Sequence, residues 1–226
     1  MNKYVALVFA VIPTVCSLHA ASFLWNSAQN ILGDTDVNTQ GTLFEAANVG
    51  GANTTVNGVT FAAFTTSSTH FSLAGTNSTF NGYGSVNAPF STLSAPYQSL
   101  LSTGNFGSGN SVMTLTISGL TINQSYLFQF WINDSRQAFV GQAVTATTGA
   151  TSVTADADTI DLEGGRGQYA TGTFVADATS QDVSFQGSAS GGTLENAFQL
   201  RSVPEPASVA LLVAGGVLLF ARRRKN

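Results

Sequence analysis

The densest set of groups able to do chemistry in this sequence is made of carboxylates. Asp156, Asp158, Asp161 and Glu163 fall within one short stretch that is closed by Gly164 and Gly165. Hard cations such as Ca²⁺ take several oxygen ligands, and alternating acidic residues in a glycine-bounded loop can supply them. The spacing does not fit the helix–loop–helix calcium pattern, so a Ca²⁺ loop and a plain solvated acidic loop both stay open. Asp34 and Asp36 pose the same choice on a smaller scale. Asp134, Arg136 and Arg166 offer either a polar site or a salt bridge that closes a strand end, since guanidinium pairs well with carboxylate. Trp25 is the candidate for stacking on a sugar ring, whereas Trp131 sits in the most apolar run and reads as core. Catalysis is poorly supplied. Beyond the N-terminal run the sequence has one histidine, His70, and no Gly-x-Ser-x-Gly elbow accompanies it. A pair of glycosidase carboxylates remains the enzymatic alternative.

These groups have to be positioned by strands. Only 9% of residues are charged, against about a quarter in ordinary soluble domains; Ser, Thr, Asn, Gln and Gly take their place. Asn57-Gly58 between β-formers is a two-residue hairpin signal. Residues 111–118 alternate between apolar and polar, and residues 125–133 are continuously apolar and aromatic, as in a strand buried on both faces. Further strands are expected at 43–47, 71–74, 138–147, 168–175, 182–186 and 194–201. The one helical segment is a turn or two at 96–102. Residues 48–57 and 65–89, rich in Gly, Ser, Thr and Asn, read as exposed loops or polar edge strands. The pattern predicts an all-β fold, an antiparallel β-sandwich of jelly-roll type, occupying residues 22–201 as one domain.

Charge is segregated along the chain. Eleven acidic residues against three arginines give residues 22–201 a net charge of −8, while the basic residues otherwise sit at the two ends. An acidic body repels phosphate backbones, which argues against nucleic acid as a partner. Residues 1–21 read as a secretory signal peptide: Lys3, an apolar run, then small residues before the cut. The single cysteine, Cys16, lies inside it, so the mature chain would carry neither disulfide nor thiol chemistry.

The C-terminus has three parts in order: Pro204-Glu205-Pro206, an apolar run at 207–221, and the cluster Arg222, Arg223, Arg224 and Lys225. Fifteen helical residues span about 22 Å, short of a hydrocarbon core of roughly 30 Å; snorkelling arginine stems close much of the gap. The basic cluster should stay cytoplasmic, which leaves the body outside. Prolines on both sides of Glu205 keep that segment extended. Together these parts, residues 202–226, resemble the PEP-CTERM sorting signal. The resemblance implies processing by exosortase, with Pro204, Glu205 and Pro206 as the recognition triplet, 207–221 as the transmembrane helix and the basic cluster as the stop. Within the body, the stretch from Gly119-Leu120 through Tyr126 to Asp134-Ser135-Arg136, with the ending at 196–201, resembles galactose-binding-like β-sandwich domains.

The expectation is therefore an exported, non-enzymatic protein of the cell surface or extracellular matrix. It would be anchored in the membrane by its C-terminal helix until exosortase acts. A carbohydrate-binding module that attaches to exopolysaccharide is the alternative function, and a secreted hydrolase is a third.

Overall fold

Strand-forming residues dominate the chain, and which face each side chain takes decides how the strands stack. The computed structural model describes residues 21–136, 141–188 and 192–204. Of the signal peptide expected at residues 1–21, all but Ala21 lies outside the described residues, as do Glu205, Pro206, the apolar run 207–221 and the basic residues Arg222 to Lys225. Among the described residues no helix is long and apolar enough to cross a membrane.

The first half of the chain supplies β1 (Leu24–Trp25), β2 (Gln29–Asn30), β3 (Thr42–Val49), β4 (Thr54–Val56), β5 (Val59–Phe64), β6 (Phe71–Ala74) and β7 (Ser78–Asn81). A short helix, α1 (Ala95–Leu101), precedes β8 (Thr103–Gly107), β9 (Val112–Ser118) and β10 (Ser125–Ile132). The remainder forms β11 (Ala143–Thr148), β12 (Thr151–Asp156), β13 (Gln168–Val175), β14 (Ser180–Gly187), β15 (Thr193–Glu195) and β16 (Ala197–Val203). The fold is all-β. The larger sheet runs β1-β13-β10-β16-β3-β5-β4, with β2 also on β13; a second runs β12-β11-β14-β9-β6, and a small third runs β15-β8-β7.

The two larger sheets stack as a sandwich. Tyr126, Phe128, Phe130 and Ile132 of β10 share one core with Met113, Leu115 and Ile117 of β9, Val183 and Phe185 of β14, and Val144 and Ala146 of β11. Burying each Phe is worth about 1.5–3 kcal/mol, so this layer holds the sheets face to face. The opposite face of β10 is buried as well, and its Trp131 joins Phe61, Tyr97, Leu100 and Leu101 in a second core under α1. Trp131 Nε1 donates to the Tyr97 hydroxyl at 2.9 Å, which satisfies the indole in its dry site. The buried positions Tyr97, Leu100 and Leu101 follow helical spacing, and the Ser94 hydroxyl caps α1 by accepting from the Tyr97 amide.

At the predicted hairpin, Asn57 and Gly58 have φ of 49° and 74°, the left-handed pair that a type I′ turn requires. Purely antiparallel pairing is corrected at one place: β3 and β5 run parallel, with Ala47 opposite Ala62. The segment carrying β4 makes this possible, because it loops back before β5 re-enters the sheet.

Candidate functional site

Three of the sequence-predicted carboxylates accept backbone amides, two of them within their own loop. Asp156 Oδ1 accepts from the Asp158 amide, Asp158 Oδ1 from the Ile160 amide, and Asp161 Oδ1 from the Gly141 amide. Burial lifts Asp156 and Asp158 above the usual carboxylate range, with these backbone donors opposing the shift. Glu163 is exposed. Among the described residues no three His, Cys, Asp or Glu side chains converge as a metal site. Asp34 and Asp36 close a different turn: Asp34 accepts from the Ser94 hydroxyl, and Asp36 Oδ2 accepts from the amides of Leu32 and Gly33.

Trp25 lies on the inner face of the larger sheet. Its ring packs against Phe23, Phe128 and Phe130 at centroid distances of 5.0, 6.3 and 5.8 Å. Gly172, its partner on β13, leaves the room: a Cβ there would meet the indole at 2.7 Å. Asp134 and Arg136 form a bidentate pair, with the guanidinium over the rings of Phe80 and Tyr83. Arg166 goes elsewhere, binding the carbonyls of Pro89 and Leu32 and so tying two loops together. His70 Nδ1 sits 3.1 Å from the Ser118 carbonyl, and its ring lies 4.3 Å from that of Phe44.

Sequence reasoning did not reach a cleft on the outer face of the larger sheet. It has a volume of about 400 Å³ and is lined by Asn26, Gln29, Thr35, Asp36, Asn38, Gln129, Tyr169 and Thr171. Its floor is Gln129, fully buried in the middle of β10. Gln129 Oε1 accepts from the Asn38 amide and from Gln199 Nε2, and its Nε2 donates to the Asp36 carbonyl. Gln199 in turn donates to the Asn38 carbonyl, so the segment around the short helical turn Asp34–Asp36 is pinned over the sheet by two glutamines. The signal was present as a mismatch: Gln129 interrupts an otherwise apolar strand, and a buried polar residue has to find partners.

The chain leaves the body at the opposite end of the larger sheet from α1. β16 is bonded on one side to β10 and on the other to β3, with Val203 opposite Ser125. The Val203 carbonyl also accepts from Gln124 Nε2 at 2.9 Å. Pro204 is the first residue beyond the strand.

Residues 202–225 match the PEP-CTERM protein-sorting motif. No curated protein matches the sequence. Among solved structures, the chain is similar to the ANX1 ectodomain from Arabidopsis thaliana, with 15% identity and a TM-score of 0.47 over 73% of this chain and 51% of that one. It is also similar to a carbohydrate-binding module of the β-sandwich superfamily, with 11% identity and a TM-score of 0.25 over 64% of this chain and 65% of that one. The chain thus spans about half the length of the first and just under two thirds of the second.

Proposed function

We propose that this protein is exported, held at the membrane through residues 207–221, and cut by exosortase beside Pro204-Glu205-Pro206, after which its sandwich body passes to the cell surface or extracellular matrix. The observation that carries this reading is the sorting motif at residues 202–225. The winding of the body is taken as jelly-roll-like, because from β9 to β14 every connection changes sheet except the β11–β12 hairpin.

The geometry of β16 adds a limit on the cut. A protease needs its substrate extended and accessible. Residues 197–203 are extended, but 197–202 are paired on both edges inside the sheet, and Val203 is paired with Ser125 of β10. Cutting before Val203 would require pulling a central strand out of the fold. Beyond it, Pro204 and Pro206 have no amide to pair, and proline disfavours a helix. The cut therefore falls after Val203, and the released body keeps its whole sheet.

The body is read as non-catalytic. In support, the His70 ring is engaged with the Ser118 carbonyl and Phe44, Asp156 and Asp158 accept from their own loop, and Asp161 accepts from the Gly141 amide. The test is a triple variant, Pro204→Ala, Glu205→Ala and Pro206→Ala, expressed in exosortase-competent cells. Uncut protein should accumulate in the membrane fraction. Delivery to the surface at the wild-type mature mass would overturn the reading.

A further inference from the structure

We propose that the cleft over Gln129 binds a neutral saccharide, with Tyr169, Asn26, Gln29 and Asn38 as its hydrogen-bonding groups. The inference concerns the body alone and stands whether or not the tail is processed as proposed.

A volume of about 400 Å³ falls within the range of small-molecule sites. The floor is preorganised, because Gln129 is held by three bonds and has little freedom to lose on binding. The rim has capacity to spare. Among the described residues, the Tyr169 hydroxyl makes no hydrogen bond. Asn26 spends its Nδ2 on Thr171 and Gln29 its Nε2 on the carbonyls of Ser27 and Ala28, which leaves both amide oxygens as acceptors. Asn38 uses its Oδ1 on the Gln40 amide and keeps its Nδ2 as a donor. Carboxamides, a phenol and threonine hydroxyls supply donors and acceptors in similar measure, which suits hydroxyl groups that both donate and accept.

The charge pattern narrows the class. Among the described residues, Asp36 is the one ionisable carboxylate in the lining, and no lysine, arginine or histidine stands there. Burial and the neighbouring Asp36 push the Tyr169 phenol up, so it remains a protonated donor. An anionic sugar would meet Asp36 and an acidic body without a compensating cation. An extended peptide is a poorer match. The cleft opens over β10 and β13, and β13 is already paired with β10 on one side and with β1 and β2 on the other, so these strands offer no free ladder beneath it.

The experiment uses the full chain in a zwitterionic detergent without a sugar headgroup, titrated by NMR with cellotetraose, mannotetraose, xylotetraose and galactotetraose, and with tetragalacturonate as the anionic comparison. At least one neutral tetrasaccharide should bind, with Kd on the order of 1 mM. Tyr169→Phe should weaken it about 5-fold and the exposed pair Asn26→Ala with Gln29→Ala about 10-fold, as expected for the loss of one and two hydrogen bonds. Melting temperatures should stay at the wild-type value, which separates lost contacts from lost fold. Failure of all four neutral probes to bind, preference for tetragalacturonate, or binding unaffected by these substitutions would each overturn the proposal.

Discussion

The two faces of β10 solve the same problem differently. On the inner face, Tyr126, Phe128, Phe130 and Ile132 pack into the apolar and aromatic core shared by the two larger sheets, and the Tyr126 hydroxyl accepts from the Thr121 amide at its end of the strand. On the outer face, Leu127, Gln129 and Trp131 are equally buried, yet Gln129 is covered by a polar segment and Trp131 by a helix through a hydrogen bond. The inner face is held by non-directional packing and tolerates no opening. The outer face is held by specific bonds that fix a segment in place while leaving a cleft beside it. One strand thus carries both the stability of the body and the floor of its candidate site.

The comparison breaks most sharply on the inner face. Phe130→Ala removes a ring that packs edge-on against Phe185 and Trp25, and should cost about 3–5 kcal/mol in urea unfolding. On the outer face, Gln129→Ala takes a partner from the Asn38 amide and the Asp36 carbonyl and leaves Gln199 Nε2 only the Asn38 carbonyl, and should cost about 1–3 kcal/mol. Its cleft segment should also exchange amide hydrogens faster than the wild type. Equal costs at the two positions would mean that packing, not bonding, holds the outer segment.

A third buried polar group sharpens the contrast. Glu195 is fully buried, and among the described residues neither carboxyl oxygen has a hydrogen-bond partner. Burial pushes its pKa well above the ordinary glutamate value, so the folded state holds a proton that the unfolded chain releases. Its stabilising contribution is complete below the unfolded pKa and is lost as pH rises toward the folded one. Glu195→Gln, which cannot ionise, should gain stability relative to the wild type progressively from pH 4 to pH 8 in thermal melts. A difference that stays flat with pH would show that Glu195 is paired in solution.

Local chemistry made much of the fold legible. Asn57-Gly58 announced its turn, the run through Phe128 and Trp131 announced a strand buried on both faces, and the strands at 71–74 and 168–175 appear with the same bounds. What stayed hidden depends on contacts distant in sequence. β7 falls within 65–89, where loops and polar edge strands both stayed open, whereas the glycine-containing β8 becomes a strand by pairing with β7, Phe80 opposite Gly104, and with β15. The parallel β3–β5 pairing follows from the return of the chain through β4, which no local pattern encodes. The cleft gathers residues from Asn26 to Thr171, so only the anomaly at Gln129 pointed toward it. The sorting motif was readable throughout, because its meaning rests on the order of its parts rather than on tertiary packing.

The same division separates body from tail, and the junction at Val203 is where the account is most exposed. Mass spectrometry of the C-terminal peptide of the mature protein, recovered from exosortase-competent cells, tests it directly. The account predicts a C-terminus after Val203 and before the apolar run, with Arg222 to Lys225 absent. An intact tail through Asn226 would contradict processing, and a terminus within residues 197–202 would contradict the role given to β16.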